Sequence, residues 1–144
     1  MEKQNYLYEY RLNYKRIKGK ETNVDKVQAP NEVYKHLTKR LSPFQESFYV
    51  IALNSDCKTI GFSELFKGDV QRAVIDVRLI FSFLLTVPGC VSFIVAHNHP
   101  TGNLYASEQD KSVKKKLESA GELMGIKMVD FIIFNEDDWQ SDLY

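Results

Sequence analysis

The amino-acid sequence predicts an α/β fold, a mixed sheet flanked by helices, with elements in the order β, α, β, β, α, β, α, β. Three observations point there. Phe48-Tyr49-Val50-Ile51-Ala52-Leu53 is an unbroken apolar run of strand length, the pattern of a strand covered on both faces. Val77, Ile80, Phe81, Leu84 and Leu85 fall at i, i+3, i+4, i+7 and i+8, a single apolar helical stripe. Farther on, two short strand-like segments, Val91 to Ala96 and Lys127 to Phe134, bracket a helical pattern in which Val113, Leu117, Ala120 and Met124 share a face.

In chain order, Tyr6 to Tyr14 places Tyr or Leu at every even position, which predicts a strand, and the polar stretch from Gly19 to Ala29 predicts a loop. Pro30 opens a short helix carrying Val33, Leu37 and Leu41, and Ser42-Pro43 stops it; His36 rides on this helix with no partner at metal-ligand spacing. The apolar run beginning after Glu46 is followed by Asn54-Ser55-Asp56, turn chemistry that lets Thr59 to Phe66 return as an antiparallel strand. Asp76 is placed to cap the next helix, which ends before Pro88-Gly89. Ser107 caps the last helix and Gly125 closes it. The acidic tail beyond Phe134 is expected to be irregular.

Length and charge exclude several classes. A chain of 144 residues, 44% apolar and 26% charged, is one domain that can bury a real core without disulfide or metal staples, so any metal would serve chemistry. Cys57 and Cys90 have no ligand or disulfide-framework spacing, which suits free thiols in a reducing cytosol. No segment reads as a signal peptide or a membrane span, so the expected location is cytoplasmic. Nineteen basic and nineteen acidic side chains cancel, which does not support a dedicated nucleic-acid binder. Residues 1–45 nonetheless carry ten bases against five acids, and 134–144 carry four acids and no base.

The chemistry concentrates at His97-Asn98-His99-Pro100. Residues two apart in extended chain point to the same side, so both imidazoles can converge at the end of their strand. Asp110 lies in the first turn of the following helix, which a tight loop brings back to that strand end. Two imidazoles and one carboxylate suit a catalytic zinc, because a fourth position is left for water. The same set could form the facial triad of a non-haem iron oxygenase. Ser107 reads first as an N-cap completing a capping-box-like pair with Asp110, and its hydroxyl could also hydrogen-bond an oxyanion. No G-x-S-x-G elbow occurs, and neither cysteine has a histidine nearby in sequence. The residues alone do not choose between Glu46 and Glu64 as a general base.

His97-Asn98-His99-Pro100, six residues, Ser107, two residues and Asp110 resembles the H-x-H-P-x6-S-x2-D signature of the JAB/MPN (JAMM) metalloproteases, and His-Asn-His-Pro-Thr-Gly resembles their RadC branch. The similarity covers residues 28–142, with 1–27 as an N-terminal strand and loop extension and 28–144 as the JAB/MPN domain. It implies a cytidine-deaminase-like JAB/MPN architecture and a zinc metallopeptidase cleaving peptide or isopeptide bonds in a peptide or protein substrate. It further implies His97, His99 and Asp110 as zinc ligands, Glu46 as general base and Ser107 as oxyanion donor. Asp130-Phe131 and Gly68-Asp69 depart from the branch's frequent Asp-His and Gly-Thr. The alternative implied by the same branch is a DNA-repair or mobile-element factor that binds without turnover.

Overall fold

The structure, a computed structural model, describes residues 30–39, 45–68 and 75–142. The strand expected over Tyr6 to Tyr14, the loop to Ala29, and Leu41 with its Ser42-Pro43 stop lie outside the described residues. The described elements are α1 (Pro30–Thr38), β1 (Glu46–Leu53), β2 (Thr59–Gly68), α2 (Val77–Thr86), β3 (Ser92–Asn98), α3 (Glu108–Met124), β4 (Lys127–Phe134) and β5 (Trp139–Ser141). They build a five-stranded mixed sheet flanked by helices, in the order β2-β1-β3-β4-β5. Only β3 and β4 run parallel, because α3 connects them as a crossover; the other pairs are antiparallel.

The local signals act where the sequence carries them. The Asn54 side chain accepts from Asp56 N–H at 3.0 Å and Lys58 N–H at 2.9 Å, folding the β1–β2 turn. Asp76 accepts from Arg78 N–H at 2.9 Å and starts α2. Ser107 and Asp110 form a full capping box on α3, and Gly125, at φ 71°, ends it in the left-handed conformation. The tail is a correction to the sequence reading, since Trp139–Ser141 pairs antiparallel with β4. Asn135 makes this possible: its Oδ1 accepts from both Asp137 and Asp138 N–H, turning the chain back.

Strand alternation sorts the core into two clusters. Tyr49, Ile51, Leu53, Ile94, Ala96, Ile132 and Phe134 pack on one face with Val33 and Leu37 of α1. Phe48, Val50, Ala52, Phe93, Val95, Phe131 and Ile133 pack on the other with α2 and α3. Glu46 continues the even set of β1 and His97 the odd set of β3, so period-two geometry sends both to the α2–α3 face. Phe48 pairs with His97 across the antiparallel ladder, which puts the start of β1 beside the end of β3. No helix among the described residues is long and apolar enough to cross a membrane.

Candidate metal centre

The end of β3 delivers the two histidines together. His99 N–H donates to Phe134 O at 3.1 Å, carrying the parallel ladder one step past Asn98, so His99 keeps strand alternation and faces the same way as His97. Their ring centroids lie 4.5 Å apart, edge to face. Gly102 N–H donates to His99 O at 2.9 Å with Gly102 at φ 81°, a conformation that glycine adopts without strain. This tight turn returns the chain to the start of α3.

Asp110 then faces both rings. His97 Nε2 lies 3.0 Å from its Oδ1 and His99 Nε2 lies 3.3 Å from its Oδ2. One ligand atom from each of the three residues falls within 4.8 Å of the others. The helix cap fixes the carboxylate, since Ser107 N–H donates to Asp110 Oδ2 at 2.7 Å and Asp110 N–H donates to Ser107 Oγ at 3.0 Å. His99 Nδ1 sits 2.6 Å from Asn103 O, a contact that needs a proton on Nδ1 and leaves Nε2 with a lone pair aimed at Asp110.

A metal ion fits this donor set. His97 is 1% exposed, and among the described residues its Nδ1 has no hydrogen-bond partner while its Nε2 faces Asp110 Oδ1 at 3.0 Å. Two imidazole nitrogens and a carboxylate crowd a small volume with lone pairs, an arrangement that calls for a cation or a proton between them. Burial alone would raise the Asp110 carboxyl, but the His97 and His99 nitrogens and the Ser107 N–H hold it well below the usual carboxylate range. Burial pulls the His99 imidazole down, and the Asp110 carboxylate, the Asn103 carbonyl and the Glu46 carboxylate outweigh it and push it up.

Glu46 and Ser107 line the same cavity of about 340 Å³ as His97, His99 and Asp110. Glu64 does not line it; it is exposed on β2, where its Oε1 accepts from Ser47 Oγ–H at 3.4 Å. Glu108 is exposed and paired with Lys111. The side chain of His36 lies outside what is described. Cys57 and Cys90 are free thiols away from the cavity.

Sequence reasoning passed over Asn98. Buried between the histidines, it accepts from Ser47 N–H at 2.6 Å and donates from Nδ2 to Gln45 O at 3.0 Å. These two bonds grip the backbone on either side of Glu46. The only sequence signal for it was its place between two histidines, on the opposite face of the strand.

Comparison with known proteins gives the chain a family. The RadC-like JAB domain matches residues 27–142. Similar relatives include a UPF0758 protein of Flavobacterium johnsoniae, 38% identical over 67% of this chain and 42% of the relative. Another, from Clostridium perfringens, is 31% identical over 86% of this chain and 55% of its own length. A third, from Chlorobium chlorochromatii, is 31% identical over 91% and 57%. The chain thus spans about half the length of the curated relatives it matches. By the extent of that domain match, on a sheet that brings the His-x-His pair and Asp110 together, the chain belongs to the RadC-like JAB domain family.

Proposed function

We propose that the chain is a zinc-dependent hydrolase of amide bonds, acting on peptide or isopeptide substrates in the cytoplasm. The observation that carries the reading is the convergence of His97, His99 and Asp110 in one cavity that also holds the Glu46 carboxylate. Zinc held there supplies Lewis acidity and lowers the pKa of water to about 7. Glu46 takes the proton from the attacking water and delivers it to the departing amine. Asn98 holds the Glu46 backbone in place for both transfers. Ser107 Oγ already accepts from Asp110 N–H, so its own O–H is left to donate to the oxygen that becomes negative.

A mixed sheet with helices on both faces is not the all-β jelly roll expected around a non-haem iron triad, which favours hydrolysis over oxygenation. Metal analysis of the purified protein tests the reading, with one equivalent of zinc expected in wild type and none in His99→Ala. A denatured peptide mixture incubated with the zinc-loaded protein should yield new termini by mass spectrometry. Iron at full occupancy, or no new termini, would overturn it. The lysines of α3, at 111, 114, 115 and 116, motivate the alternative of a DNA-associated binding module. Fluorescence titration with duplex DNA decides that, because phosphate contacts give a steep loss of affinity with salt.

A further inference from the structure

We infer that a second hollow, beside the metal centre, receives the substrate side chain next to the scissile amide, and that it suits an apolar chain carrying a carboxylate at its far end. The inference rests on the hydrolase reading and names the substrate class for it. The hollow has a volume of about 210 Å³ and lies between α3 and the β4–β5 edge. It shares two walls with the metal cavity, Ala106 and Asp110. Ala106, at that shared boundary, is exposed and carries only a methyl group. A chain with its carbonyl in the metal cavity can therefore lay its next group across Ala106.

The size and lining decide what fits. Pockets that enclose whole small molecules run roughly 300–1,000 Å³, so this hollow takes a side chain and not a complete ligand. Leu104, Phe131 and Ile133 supply apolar walls. The Phe131 ring also meets His97 edge-on, 6.1 Å between centroids, so the same side chain bounds the hollow and supports the imidazole. Buried Asp130 stiffens the opposite wall: its Oδ2 accepts from Ser141 Oγ–H at 2.7 Å, and its Oδ1 accepts from Phe131 N–H at 2.8 Å and Asp142 N–H at 3.2 Å.

Charge at the rim points to a carboxylate. Lys114 and Asp142 both line the hollow and pair with each other, so they cancel. Lys111 lines it too, and its partner Glu108 lies outside the lining. Both members of that pair are well exposed, and an exposed pair of this kind contributes little, so an incoming carboxylate can take Lys111 from it. Asp110, the remaining charged group of the lining, is turned toward His97 and His99 and is a proposed metal ligand, so Lys111 is the charge left to meet a carboxylate over the apolar floor.

Calorimetric binding of three small hydroxamates to the zinc-loaded full chain tests this without a known substrate. Acetohydroxamate reports the metal centre alone. Hexanohydroxamate should bind at least about tenfold tighter, since each buried methylene is worth roughly fourfold. The monohydroxamate of adipic acid should gain about threefold more, and Lys111→Met should remove that last gain only. Gln140→Trp, an exposed position on the hollow's β5 wall, should abolish the tenfold gain while zinc content and acetohydroxamate affinity stay as in wild type. Equal affinities for acetohydroxamate and hexanohydroxamate would overturn the inference and leave the hydrolase reading standing. So would a gain that survives Gln140→Trp. Absence of acetohydroxamate binding to the zinc-loaded protein would overturn the hydrolase reading itself, and this inference with it.

Discussion

His97, His99 and Asp110 share one cavity but differ in what else they hold, so their substitutions should separate. Among the described residues, the His99 side chain hydrogen-bonds a loop carbonyl besides facing Asp110, and its backbone bonds survive substitution, so His99→Ala should lose the metal with little change in fold. Asp110 also closes the capping box of α3, so Asp110→Ala should lose the metal and a further ~0.5–2 kcal/mol of stability, read as a lower denaturation midpoint than that of His99→Ala. Equal midpoints for the two metal-free variants would show that the cap contributes nothing. Glu46 stands apart from the proposed ligands. Glu46→Gln should keep its zinc and lose roughly 10²- to 10⁴-fold in turnover, the usual worth of a general base. Asn98→Ala should also keep zinc and lose turnover, because Gln45 O and Ser47 N–H would be released together. The convergence of the candidate ligands was legible from spacing, since extended chain and a capped helix start are both local rules, and the resemblance to the JAB/MPN signature implied their role. Asn98 was not, because its partners lie 51 and 53 residues away and no local pattern announces them.

Among the elements, α3 carries the site and its far end shows how tightly it is seated. A Cβ at Gly121 would run into the carbonyl oxygen of Ile126, where the chain turns from α3 into β4. Gly121→Ala should therefore cost about 1–3 kcal/mol, as overpacking does, and not stabilise as alanine does in an open helix. A raised urea midpoint would mean that the turn gives way easily. On β4, burial pushes the Asp130 carboxyl up, outweighing the donors from Ser141, Phe131 and Asp142. With the folded value above the unfolded one, the native state binds the extra proton, and stability falls as pH rises from about 4 through the folded value. Asp130→Asn should consequently raise the melting temperature at pH 7, with the advantage shrinking below pH 4; a gain that stays constant with pH would contradict it. Caps and apolar stripes made α2, α3 and the central strands readable in the sequence. β5 was unreadable for a physical reason: three residues carry no periodicity, and their pairing depends on Asn135 and Asp130, which act through turn and tertiary bonds.

At the scale of the whole molecule, the sheet carries a core cluster on each face and neither includes the proposed ligands, apart from their packing against Phe48 and Phe131. That arrangement separates folding from metal binding. Small zinc domains unfold without their metal because the metal replaces a core. Here the clusters on both faces, with Phe48, Tyr49, Ile80, Leu84 and Leu117 among the fully buried side chains, stand without one. Chelation should therefore leave the far-ultraviolet circular dichroism at 25 °C unchanged and the thermal transition cooperative. It should nevertheless lower the midpoint by linkage, since a ligand of the native state present at 100 times its dissociation constant adds about 2.7 kcal/mol. For a domain of this size that is a shift of roughly 10 °C. The same chelation applied to His99→Ala should shift nothing. A metal-free protein that is already unfolded at 25 °C would make the ion structural, and the cavity shared with Glu46 would then lose its meaning as a place where water is activated.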